Sequence, residues 1–552
     1  MRKVSPVVAG VVMALLLVGC GSTNTRAKSG GTLKMGTTGS LISLNKFAGP
    51  TGIYAAFEFM YPALVQYDLH TLASESASGT TFKPDFATSW QASPDGLTWT
   101  FHTRPGAKWS DGQPLAAADV AFTLNTVVQY QKGATANYAA AVAHLKSAEA
   151  TNPTTVVLHY SQAVSNVLFQ MQTLGILPQH IFGPLATGDG MGLKTFANTP
   201  TGGQPSVSGG PFEVTQFVPN SVLIFSRNPN YYGQAPKVDG VGVEEFANPD
   251  AMLAALRTRQ IDAAVGVPST AVQALRSSND VVSIKPGIKG TLSLNINPSP
   301  DKTQNRELLD PSVRQAFEYA IDRNQIIQTV YGGNAQPGGA VVPPGAGKWH
   351  DASIRPLPFD VAKANQLLDQ AGDTRGPDGT RMANGHPMAY QVIIQPTFVR
   401  AFQILQQAFQ QIGVQLTPNS LDAKAAKAAI AGPDHKFVGY DMAMSTSNTE
   451  PDPDFLLSAF TCLELNSYNS TGYCNSSYEQ LYQQQGATSE AQRVQVVYSM
   501  EKMLADARAS IVIAYPDNID AWSAKWTGFV EYGGGLFFDD STDSLVSVHP
   551  AP

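Results

Sequence analysis

The sequence predicts an α/β protein, and three observations carry that expectation. Short apolar runs of strand type alternate with helical runs across the second half of the chain. These are the strands Gln391–Gln395, Val414–Leu416 and Phe437–Met444, and the helices Val361–Gly372, Arg400–Gly413 and Val494–Ala507. Such alternation belongs to sheets covered by helices. Hydrophobic residues make up 43% of the chain and charged residues 14%, the balance of a folded protein rather than a disordered one. The 552 residues hold about three or four domains' worth of core.

The amino terminus reads as a processing signal. Arg2 and Lys3 precede the apolar stretch Val7–Val18, which is too short to span a membrane comfortably. It ends in Leu17-Val18-Gly19-Cys20, which resembles a bacterial lipobox. Residues 1–20 are then a lipoprotein signal peptide with Cys20 as the lipidated residue, against the blander reading of a secretory leader with an incidental cysteine. Residues 21–30, rich in Gly, Ser, Thr and Asn, form a flexible tether. Loss of Arg2 and Lys3 leaves 34 basic residues against 43 acidic ones, a net charge of −9. With no basic run in the chain, nucleic acid is not an expected partner.

The body opens with a strand, Gly31–Gly36, then a loop, Leu41–Pro50, and a helix around Tyr54–Met60. Ser43 and Lys46 stand in the S-x-x-K spacing of penicillin-binding enzymes, but the downstream S-D-N and K-T-G partners are missing. The stretch from Lys83 to Val128 is the most regular. Phe86–Gln91 and Leu97–Thr103 are strand runs joined by Ser93-Pro94-Asp95-Gly96, in which Pro presets φ, Asp bonds its own backbone and Gly takes a positive φ. Val120, Leu124, Val127 and Val128 then recur at helical spacing, with Asp119 near the positive helix start. Ala139–Ala148 reads as a helix or connector, Thr154–Tyr160 as a strand and Asn166–Gln172 as a short helix. Thr199–Gly210, rich in Gly, Pro and Ser, is the clearest linker. Met252–Gln260 is a helix, Leu292–Asn297 an extended run, and Val313–Arg323 an amphipathic helix with Val313, Phe317, Ala320 and Ile321 on one face.

Several of these segments share one likeness. The run P-D-F-A-T-S-W … S-P-D-G-L-T-W-T-F … R-P-G-A-K-W-S-D-G-Q-P-L from Pro84 to Leu115, Arg227-Asn-Pro-Asn-Tyr-Tyr-Gly233 and Val313-Arg-Gln-Ala-Phe-Glu-Tyr-Ala-Ile-Asp-Arg323 resemble the signatures of family 5 extracellular solute-binding proteins. The resemblance implies a two-lobed, class II periplasmic-binding-protein-like α/β fold with an extra third domain, hinged by two crossover segments. By the same likeness, domain I comprises 31–65, 202–284 and 516–552, domain II 66–201, and domain III 285–515. It further implies a protein that captures short peptides between its lobes and delivers them to the permease of an ABC importer. Nickel, metallophore or another solute on the same fold is the alternative, and the expected state is a monomer on the outer face of the cytoplasmic membrane.

No enzyme is expected, because the chain holds no G-x-S-x-G, H-E-x-x-H, P-loop or Cys/His cluster; a secreted hydrolase is the remote alternative. No cofactor or resident metal is called for. Within the resemblance, peptide binders hold the ligand's amino group with a carboxylate on the loop after the Phe437–Met444 strand. Counting back from Phe455, that position falls on Asn448, which supplies no countercharge. Glu450 stands two residues on, and Asp452 is the next candidate, or else a loop and helix-capping residue. Arg400 is the candidate for a ligand carboxylate, and Tyr440, Tyr54, Tyr61 and Trp349 are aromatics that stack on cargo or pack in the core. His180, Arg227 and the Asp322–Arg323 pair read as structural. Cys462 and Cys474, isolated in an oxidising compartment, form a disulfide worth roughly 3 kcal/mol, with metal binding as the other reading.

Overall fold

The computed structural model describes residues 30–48, 59–69, 82–278, 280–432, 436–448 apart from 438, 451–466, 469, 471–488, 490–532, 535 and 542–552. Three main sheets organise these residues. A seven-stranded sheet runs in the order Asp280–Lys285, Asn518–Ser523, Ala263–Ala264, Thr32–Thr37, Gly240–Glu245, Val222–Arg227, Phe212–Val218. A four-stranded sheet is built from Ala87–Ala92, Thr98–Thr103, Thr155–Tyr160 and Leu145–Asn152. The third, six-stranded, has the order Ala335–Pro337, Ser510–Pro516, Lys289–Ile296, Met442–Asn448, Ala389–Ile394, Gln415–Ser420. The mixed α/β class is as the alternation predicts. Among the described residues no helix is long and apolar enough to cross a membrane.

The hairpin and helix of the 83–128 stretch form as their residues dictate. Gly96 takes φ +69° and donates its N–H to Ser93 O at 2.9 Å, while Asp95 accepts from Leu97 N at 3.0 Å. The helix Ala117–Tyr130 buries Val120, Leu124 and Val127 in a core shared with the first two sheets, and Asp119 bonds back to Ala116 N at 2.9 Å. Its buried carboxyl is raised above the usual range by desolvation, against bonds from Gln179 and Ala116 N–H groups.

Four expectations are corrected. Ala139–Ala148 is neither one helix nor a plain connector: a short 3-10 turn ends at Val142, His144 takes φ 63°, and Leu145–Asn152 pairs antiparallel with Thr155–Tyr160. Sheet pairing overrides the helix preference of alanine there. Thr199–Gly210 closes on itself rather than acting as a loose linker. Ser208 is fully buried and donates to Met60 O at 2.8 Å, Gly209 and Gly210 N–H groups reach the same carbonyl, and a Cβ on Gly210 would stand 2.4 Å from Phe59 O. The glycine is there for close approach. Val313–Arg323 divides into helices Pro311–Tyr319 and Arg323–Tyr331, because Asp322 caps the second by accepting from Gln325 N at 2.9 Å. The strand expected from Phe437 begins only at Met442. Phe437 has φ 56°, and the preceding carbonyls are taken by side chains: Asn297 donates to Phe437 O and Tyr440 O, and Lys302 to Tyr440 O at 2.7 Å.

The seven-stranded and six-stranded sheets are joined by two short crossings, residues 286–288 and Asp517. They run side by side, since a Cβ on Gly287 would meet Pro516 O at 2.3 Å. Ile288, fully buried, packs with Tyr67, Leu69 and Tyr532.

Candidate functional site

The strand Met442–Asn448 lies antiparallel to Lys289–Ile296, with Met444 opposite Leu294, Ser445 opposite Ser293 and Asn448 opposite Lys289. Leu292, Leu294 and Ile296 enter an apolar core, while Thr291, Ser293 and Asn295 are buried on the other face, where Asn295 donates to Ser445 Oγ at 3.0 Å. The strand thus extends through Ser445–Asn448, which the sequence alone reads as loop. Its consequence is positional. The chain leaves the sheet at Asn448, in register with the first residue after the 286–288 crossing, so the candidate ligand loop starts at the junction of the two sheets.

The candidate residues are distributed as follows. Tyr54, Glu450 and Cys20 lie outside the described residues. Asn448 ends its strand. Asp452 is buried, and its two carboxylate oxygens accept from Arg493 Nη1 and Nη2 at 2.5 and 2.6 Å. Arg400 is exposed in the first turn of helix Val399–Gln411. Tyr440 is buried and its hydroxyl donates to Thr471 O. Trp349 is buried beneath the Arg493 guanidinium, 4.6 Å from the ring centroid, and Tyr61 is buried with its hydroxyl bonded by Asn198 at 2.7 Å. Asp452, Tyr440, Tyr61 and Trp349 therefore hold protein partners, whereas Arg400 faces solvent. Cys462 and Cys474 are joined by a disulfide with Cα atoms 4.7 Å apart.

Sequence reasoning missed the group that fixes the far side of this loop. Arg493, in helix Glu490–Ala507, also donates through Nε to Gln485 Oε1 at 2.7 Å, and Gln485 Nε2 donates to Asp454 Oδ1 at 2.6 Å. Burial disfavours the Arg493 charge, but Asp452 and its hydrogen bonds outweigh this and hold the guanidinium firmly protonated. Burial instead pushes Asp454 up, against the pull of Arg493. A buried pair of this geometry survives because each charge is matched and hydrogen-bonded. The one available signal was an arginine set among the apolar positions of a helix. His180 Nε2 donates to Asp111 Oδ2 at 2.7 Å, tying together two segments 69 residues apart, while Arg227 bonds Val238 O and Asp239 and braces a local turn. A cavity of about 190 Å³ lined by Tyr61, Phe182, Phe196 and Asn198 contains no residue of the candidate loop. Among the described residues no group of three or more His, Cys, Asp or Glu is arranged to hold a metal ion.

Comparison with known proteins fixes the lineage. Residues 81–464 match the model of bacterial extracellular solute-binding proteins, family 5, middle region. The chain belongs to this family. It is a family of solute-binding proteins rather than enzymes. A putative ABC transporter peptide-binding protein of Brucella ovis is 30% identical over 339 residues, 61% of this chain and 60% of the relative; the match thus spans about three fifths of that relative. The glutathione-binding protein GsiB of Shigella flexneri is 24% identical over 82% of the chain and 85% of its own length. Among solved structures, NikZ from Campylobacter jejuni in complex with Ni(L-His) superposes with TM-score 0.77 at 21% identity, over 94% of this chain and 99% of that one. AppA from Bacillus subtilis in complex with a nonapeptide gives 0.74 at 19% identity, over 96% and 100%. These likenesses show the fold: this family 5 chain has the two-lobed class II architecture with an extra domain.

Proposed function

We propose that this family 5 protein is the lipid-anchored, extracytoplasmic substrate-binding component of an ABC importer, and that its cargo is short peptides held between two lobes. The observation that carries the reading is the register of Asn448 against Lys289, which starts the candidate loop beside both chain crossings. A polar loop at the junction of two lobes meets cargo on closure and can report its presence to a permease through the closed shape. Peptide is favoured because main-chain groups can be held whatever the side chains. Asn448 or Glu450 receives the ligand's amino group and Arg400 its carboxylate. Asp452 is assigned to Arg493 rather than to cargo. The seven-stranded sheet and its helices constitute domain I (31–65, 202–284, 516–552), the four-stranded sheet domain II (66–201) and the six-stranded sheet domain III (285–515). Cys20 carries the lipid.

The test is mass spectrometry of whatever is released from the purified mature protein by mild denaturation. A ladder of short peptides supports the reading, and titration with the same peptides then gives the affinity. A second reading, a metal complex as cargo, is favoured by the NikZ likeness and by the uncharged Asn448; recovery of nickel with a small chelating molecule would establish it and overturn the first. Radiolabelled fatty acid should enter the wild type and not Cys20→Ser.

A further inference from the structure

The helix Ser476–Gly486 ends in an unusual way. The last carbonyls of a helix have no partner within it and must find one elsewhere. Here Gln485 O accepts from Ser165 Oγ at 2.8 Å, and Gly486 O accepts from Ser165 N at 2.8 Å. Ser165 comes from a different body. It sits between strand Thr155–Tyr160 and helix Val167–Thr173, flanked by Val164 and Val167 of the core that also holds Trp109 and Leu124. Helix Ser476–Gly486 packs instead with Leu457, Val497 and Met500 in a separate core. One serine thus caps a helix across two cores.

The capped residue is also wired to the candidate loop. Gln485 is buried; its side chain accepts from Arg493 Nε at 2.7 Å and donates to Asp454 Oδ1 at 2.6 Å. Arg493 in turn clamps Asp452, two residues beyond Glu450. From Ser165 to Asp452 the path runs through the Gln485 carbonyl, its side chain and Arg493, joined by hydrogen bonds between half-buried or buried groups. Separating the two cores would strip both carbonyls of their donors and leave water to replace them.

We infer that Ser165 is a positioning residue for ligand capture: it latches the body that carries Gln485, Arg493 and Asp452 to the body on the opposite side, and so holds the bound state shut. This rests on the solute-binding reading above. The latch requires that cargo leave slowly because the two bodies must part first, whereas entry into the open form does not involve Ser165.

The experiment uses the mature protein with paired spin labels on exposed positions of the two bodies, read by pulsed electron paramagnetic resonance, together with stopped-flow binding of a synthetic short-peptide pool. Ser165→Ala removes one of the two bonds. It should raise the peptide dissociation rate about fivefold, leave the melting temperature within error of wild type, and shift the cargo-free distance distribution towards longer separations. Ser165→Thr keeps the hydroxyl and should restore both readouts. A dissociation rate and distance distribution in Ser165→Ala equal to wild type would overturn the latch. So would equal losses in Ser165→Ala and Ser165→Thr, since the hydroxyl would then not be responsible. If the wild type binds no peptide, the peptide reading fails, while the cargo-free distances still decide the latch.

Discussion

Helix Glu490–Ala507 buries two charges and treats them in opposite ways. Near its start, Arg493 meets a full countercharge in Asp452 and stays ionised. Two turns on, Glu501 is fully buried, and among the described residues it meets no cation and accepts only backbone N–H groups, from Val342 at 3.1 Å and Asp351 at 2.9 Å. Burial therefore pushes Glu501 up to about 8, and the nearby Asp351 adds to the shift. The same helix thus carries one charge locked by pairing and one that titrates. Pairing with Asp452 keeps Arg493 ionised, while the segment 342–351 is held by a group that takes up a proton.

The largest effect should come from breaking the pair. Arg493→Met leaves Asp452 buried without a partner, and urea denaturation should show a loss of about 3–5 kcal/mol. Adding Asp452→Leu should recover most of it, since an apolar pair of similar volume is tolerated; no recovery would mean that Arg493 acts through Gln485 and Trp349 instead. Next comes Glu501. Its folded value lies above the ordinary 4.5, so the folded state binds the extra proton. The stability it contributes is complete below about pH 4.5 and is lost as pH rises through about 8. The loss should amount to roughly 5 kcal/mol, and Glu501→Gln should flatten the melting profile over that window. A smaller effect is expected on the loop: Glu450→Gln should weaken peptide binding about tenfold, the worth of one charge-assisted bond. Asp322→Asn should be smallest. Asparagine caps a helix nearly as well as aspartate, so calorimetry should find a change of only a few tenths of a kcal/mol and unaltered peptide affinity. Equal losses of affinity at 450 and 322 would argue against this loop as the ligand contact.

Much of the fold was legible wherever the cause was local. Pro94, Asp95 and Gly96 determine a tight turn by their own chemistry, and Val120, Leu124 and Val127 announce a helix face by spacing. The alanine-rich run ending at Ala148 was not legible, because its strand exists only through pairing with Thr155–Tyr160. Glycines 209 and 210 suggested slack where the structure uses them to bring backbone against Met60. At the candidate site, the loop could be located from a strand followed by a polar run, but the partner of Asp452 lies 41 residues away in the chain. No pattern of spacing reports which helix a carboxylate will meet.

Gly287 has a mechanical consequence. Two crossings that touch, with Pro516 O where a side chain would otherwise stand, define a line rather than a point. Sliding one crossing across the other would drive one backbone into the other. In the capture cycle proposed above, such a joint would return the same two faces to the same alignment at each closure. Ser165 would then meet the end of its helix at each closure without a search.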